Sequence, residues 1–162
     1  MQSKTSFYGC IIKWVFKLCF FVPKYRSEMK SVIAAMLLWI GANTNYNVDI
    51  PHPQVLLLPQ SELEHKYSTQ SIYGELHGFY SERDNTIYLP ESFNIYDAWK
   101  KGVLFHELVH YVQDMNDVPV KCTAEYEKEA YPLQKQYLWE VHGLNWKYDE
   151  LWHKLISNCQ YN

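Results

Sequence analysis

Residues 97–115 read DAWKKGVLFHELVHYVQDM. Asp97 is a good N-cap, because its short carboxylate can accept hydrogen bonds from the free N–H groups of a first helical turn. From Ala98 to about Met115 no proline interrupts the pattern. Trp99, Val103, Leu104, Phe105, Leu108, Val109 and Val112 spread apolar surface over nearly every side. A helix that is apolar all round is a buried one. The stretch therefore predicts a central helix with the rest of the chain packed about it.

Inside that apolar surface stands His106-Glu107-Leu108-Val109-His110, an HExxH pattern. Residues four apart lie one turn apart on one helix face, so both imidazoles can reach one Zn²⁺. Glu107 is rotated by about 100° from His106. It stands beside the metal rather than on it, where it can take a proton from a coordinated water. Left unpaired, two His and a Glu on a buried helix would be costly.

Two histidines do not complete such a site; a catalytic zinc takes three protein ligands and keeps one position open. Downstream, EYEKEAYPLQ (residues 125–134) offers three glutamates. On a continuous helix Glu125 and Glu129 share a face with Pro132, Gln136 and Glu140, which reads as a solvent face. Glu127 points the other way, among Ala124, Ala130, Tyr131, Gln134, Leu138 and Val141. A carboxylate in an apolar stripe must be paired or metal-bound. Glu127 is thus the expected third ligand, ahead of Glu125 and Glu129.

The wider layout is α+β. The helix before the centre is expected over about Ser27–Ile40, then a loop at 43–53 and a short strand at Val55–Leu58. A short helix at Ser61–Tyr67 has Ser61 as cap and Glu64 three residues on. Leu76–Ser81 and Thr86–Leu89 predict a hairpin joined by a polar turn at 82–85, with Pro90 ending the second strand. A long helix over Thr123–His142 stops at Gly143, and a last helix covers about Asn145–Ser157.

With 162 residues, one main domain is expected, at 26–162, preceded by an appendage at 1–25. The appendage is mostly apolar but carries Lys13 and Lys17. It suits an amphipathic helix on the domain or a membrane surface better than a span. Residues 29–42 read either as a secretory signal beginning at Met29 or as the first helix of the domain; Trp39 and the bulky aliphatics favour the helix. A net charge of −3 and pI near 6.1 give no footprint for nucleic acid. Cys10, Cys19, Cys122 and Cys159 form no CxxC pair. Cys122 and Cys159 lie in the same half and form either a disulfide or two buried thiols.

HELVH followed about 16 residues later by E-x-x-A resembles the gluzincin group of zinc peptidases. The layout G-x-Y, TIYLP, HELVH and E-x-EAY-x-LQ, from about His77 to Leu138, is similar to small bacterial zincin-like proteins. The resemblance implies a zincin-like fold, with a small, mostly antiparallel sheet on the HExxH helix. It implies Zn²⁺ held by His106, His110 and Glu127, with Glu107 as base and a peptide or protein as substrate. An edge strand beside the helix, either 86–89 or the strand around 78–80, would pair with that substrate. Tyr131, Tyr111 and His142 are candidate oxyanion donors, Tyr131 foremost; His52, His65, His77 and His153 are expected in surface or core roles. The departure from the family is Tyr131, where many gluzincins place an Asp that orients a ligand His. A non-catalytic, zinc-stabilised binding module is the competing expectation. A membrane-surface protein built on residues 1–25 is a third.

Overall fold

The computed structural model describes residues 9–66 and 75–160, with side chains from residue 26 onward. Five helices and a three-stranded sheet form it. Helix α1 (Gly9–Asn43) runs through Pro23, so no backbone break separates residues before 26 from those after it. Met29, Ile33, Met36, Leu37 and Ile40 are buried at helical spacing and join the main core. Residues 29–42 are therefore domain helix. Among the described residues no helix is long and apolar enough to cross a membrane. The side chains of residues 1–25, on which the membrane-surface expectation rests, lie outside the described set.

Strand β1 (Gln54–Leu58) leads into helix α2 (Gln60–Lys66), which starts one residue before the expected cap at Ser61. The Pro59 carbonyl takes the N–H groups of Glu62 and Leu63, so the turn closes on backbone instead. Tyr67, the expected last residue of α2, lies outside the described residues. Strands β2 (Phe79–Ser81) and β3 (Thr86–Pro90) form the expected hairpin, although β2 is shorter than foreseen and Pro90 is the last residue of β3. The sheet order is β1-β3-β2. β1 runs parallel to β3 and β2 antiparallel to it, so the sheet is mixed rather than mostly antiparallel. Every residue of β3 is buried, as a central strand covered by helices requires.

Helix α3 (Ala98–Met115) has the expected bounds, and Asp97 accepts from the Lys100 N–H at 2.9 Å. Its buried residues extend round most of the helix. Helix α4 (Glu127–His142) crosses it closely at Gly102. A Cβ at Gly102 would sit 2.7 Å from Leu138 Cδ2, so only glycine admits the approach without displacement. The segment Thr123–Tyr126 ahead of α4 is 3₁₀ rather than α. This tighter turn takes Glu125 out of the expected register, so that it turns back to the Lys121 N–H and pairs with Lys128; Glu129 keeps its place in α4, but Tyr46 and Gln113 cover it and donate to it. Glu125 and Glu129 therefore share no solvent face. Helix α4 ends at Gly143, left-handed at φ 64°. Helix α5 (Glu150–Ile156) begins five residues later than expected, because Asp149 caps it through the N–H groups of Leu151 and Trp152. Cys122 and Cys159 are joined as a disulfide.

Candidate metal centre

His106 and His110 leave α3 on one face, and Glu127 opens α4 across from them. The close crossing at Gly102, one turn before His106, brings the two helices within reach. His106 Nε2 and His110 Nε2 lie 3.0 Å apart. Glu127 Oε2 is 3.1 Å from the first and Oε1 is 3.3 Å from the second. The three donor atoms fall within 4.8 Å of one another, and such a group can hold a metal ion.

The neighbours orient both rings. His106 Nδ1 faces Gln134 Oε1 at 3.1 Å, and His110 Nδ1 faces Gln113 Oε1 at 3.1 Å. The Gln113 amide cannot be turned round, since its Nε2 donates to the Tyr126 carbonyl and to Glu129. An amide oxygen only accepts, so each Nδ1 carries a proton and each Nε2 is left to take up a further proton or a metal ion. Two lone pairs 3.0 Å apart and a carboxylate repel one another unless a cation sits among them. Glu127 Oε2 is buried and makes no hydrogen bond; it meets His106 at ion-pair distance only. Both facts fit a bound cation.

The electrostatics agree. Burial would raise the Glu127 pKa, but the His110 and His106 rings outweigh it and hold the carboxyl far below its ordinary range. Burial pulls His110 down, yet the Glu127 carboxylate more than offsets it and raises the ring to about 9. These shifts are one attraction seen from its two ends. Three inward-facing atoms call for one positive charge, supplied by a proton or by a metal.

Glu107 is buried beside the cluster, and desolvation raises its pKa despite the nearby His106 and His110. It lines a cleft of about 140 Å³ together with His106, Gln134, Tyr131, Trp99 and Trp146, among others. Tyr131 meets the His106 ring edge-on at 5.0 Å, and burial with the Glu127 and Glu107 carboxylates raises its pKa to about 12. It stays a donor at neutral pH. The other two candidate donors are elsewhere. The Tyr111 hydroxyl donates to the Pro51 carbonyl, and His142 packs on Tyr137.

Of the remaining histidines, His52 and His65 are exposed, as expected. His77 instead lines the cleft, and His153 Nε2 lies 2.9 Å from the Glu127 carbonyl. Nothing local in the sequence pointed to His153. Gln113 was readable, being a polar residue on a buried helix three positions after His110. Strand β3 is central and so cannot be a substrate-pairing edge, whereas β2 is an edge and Gly78 before it lines the cleft.

Fold and site together define a small α+β domain with an HxxxH…E group that could hold a metal ion. The chain belongs to the family described as a domain of unknown function (DUF6647), whose model matches residues 26–162. No curated protein and no solved structure matches it.

Proposed function

We propose that the protein is a zinc-dependent peptidase. The observation that carries this reading is Glu107: a buried carboxylate, outside the ligand set, that lines the same cleft as His106. A site kept only for structure has no use for a base there. Two imidazoles and one carboxylate are a donor set suited to Zn²⁺ with a position left open. Bound there, zinc would supply Lewis acidity, acidifying a water and polarising the scissile carbonyl.

Glu107 takes the proton from the water as its oxygen adds to the peptide carbon. It then gives that proton to the amine nitrogen as the C–N bond breaks. Tyr131, whose ring meets that of His106 at 5.0 Å, would hydrogen-bond the oxyanion of the tetrahedral intermediate.

The test is a peptide library incubated with zinc-loaded protein. Glu107→Gln is expected to keep one zinc per chain and lose activity by about 10²–10⁴-fold. His110→Ala is expected to lose the zinc. Zinc bound by wild type and by Glu107→Gln, with neither cleaving any peptide, would favour a zinc-stabilised binding module. Equal zinc in wild type and His110→Ala would remove the site itself.

A further inference from the structure

The C-terminal segment sits on the metal cleft but hardly belongs to the core. From Leu144 to Gln160 one residue is buried, Ser157. Helix α5 buries none, whereas α4 buries Ala130, Leu133, Gln134, Tyr137 and Leu138. The main hydrophobic core holds no residue after Tyr137. Trp146, Tyr148, Trp152, His153 and Ile156 are only half-buried, so the segment is placed by partial contacts and specific tethers rather than by a core of its own.

Among the contacts that hold it, three kinds bear on the site. The Cys122–Cys159 disulfide fastens its end to the residue just before the 3₁₀ turn that delivers Glu127. His153 reaches the Glu127 carbonyl. Tyr131 stacks on Trp146 with centroids 5.8 Å apart, and Tyr148 and His153 meet the same ring at 5.3 and 5.1 Å. Trp146 continues to Trp99 at 5.3 Å, and both indoles line the metal cleft. Through Trp146 the segment thus contributes to one wall of that cleft.

We propose that residues 144–160 are a movable wall of the metal cleft, held shut by the Cys122–Cys159 disulfide and released when a dithiol reduces it. A thiolate of the dithiol attacks one sulfur, forms a mixed disulfide and expels the other cysteine as a thiolate, which takes a proton from water. The second thiol of the reductant then frees the remaining cysteine and leaves the reductant as a disulfide, two electrons having passed to the protein. The histidine contact and the ring contacts that remain are individually weak. The freed end no longer closes a loop spanning 37 residues, so its conformational freedom returns. Helices α1, α3 and α4 stay in place, because their core lies elsewhere. The consequence, a cleft opened to substrate and a Glu127 less firmly held, rests on the peptidase reading; the movement does not.

Hydrogen–deuterium exchange of the metal-free full chain tests it. Three samples are compared: oxidised protein, protein reduced with dithiothreitol, and the Cys122→Ser/Cys159→Ser variant. Peptides covering 144–160 are expected to exchange about tenfold faster or more in the last two, with peptides from α1 and α3 unchanged. Equal protection of 144–160 in all three samples would overturn the proposal. So would loss of protection throughout the core, which would make the disulfide a staple of the whole fold. A second reading is tryptophan emission, expected to move to the red on reduction and to move less in Trp146→Phe. An equal shift in Trp146→Phe would also count against it. An inactive protein that shows the expected exchange would retire the peptidase reading and leave the wall standing.

Discussion

Two glutamines decide which nitrogen of each histidine faces the cluster. Gln113 and Gln134 accept from the Nδ1 atoms and so turn both Nε2 lone pairs inward. Partners of this kind commonly contribute 10- to 100-fold in metal affinity. Gln113→Ala and Gln134→Ala are each expected to weaken zinc binding by about that factor in competition with a chromophoric chelator. The exposed Gln136→Ala should bind as wild type does. Wild-type affinity in both buried variants would show that the rings hold their orientation without help. Glu129 belongs to this account too. It accepts from Gln113 and Tyr46, so Glu129→Ala should weaken zinc binding moderately where Glu127→Ala abolishes it. The helical-face expectation picked Glu127 over its neighbours, and Glu127 is the glutamate that stands between the rings. It misplaced Glu125, which the 3₁₀ turn before α4 shifts out of register, and Glu129, whose face of α4 is covered by Gln113 of α3 and by Tyr46.

At the scale of elements the site is a crossing of two helices. Helix α3 supplies a face with His106 and His110, and α4 supplies Glu127, so the angle and distance of the crossing set the spacing of the three side chains. Gly102 packs against Leu138, which is fully buried and has nowhere to retreat. Gly102→Val is expected to destabilise the fold by about 1–3 kcal/mol through overpacking. It should also weaken zinc binding, since the two helices must separate. Denaturant unfolding and chelator competition measure the two effects. A variant as stable as wild type, with full affinity, would show that the crossing tolerates a side chain. The central helix was the most legible element, because Asp97 caps it and its apolar residues are self-consistent. Helix α5 was the least legible. It was expected from about Asn145 but begins at Glu150; Leu151 is 69% exposed, and the aromatic residues before the helix pack round Tyr131.

Across the whole molecule, tyrosines are stored in protonated form. Burial raises Tyr131 and Tyr137 to about 12, and burial with the Asp114 hydrogen bond drives Tyr80 higher still. In the unfolded chain these groups titrate near 10. A group whose folded pKa is raised contributes stability that is complete below the unfolded pKa and is lost as pH rises through the folded one. Stability is therefore expected to fall from about pH 10 toward pH 12, and some of the 14 tyrosines should ionise only with unfolding. Absorbance at the tyrosinate band, recorded beside circular dichroism, checks this. A single reversible titration near pH 10 with the fold intact would contradict it.

The two histidines one turn apart, the glutamate beside them and the cap and bounds of the central helix were determined by the sequence alone. All of these are local: they follow from 3.6 residues per turn and from the cost of leaving polar groups on a buried helix. The parallel pairing of β1 with β3, the Gln113 and Gln134 supports, the place of His153 and the aromatic wall over the cleft were decided only by the tertiary structure. Each joins residues distant in the chain, or depends on how one helix is turned against another, and no periodicity within a single segment carries that information.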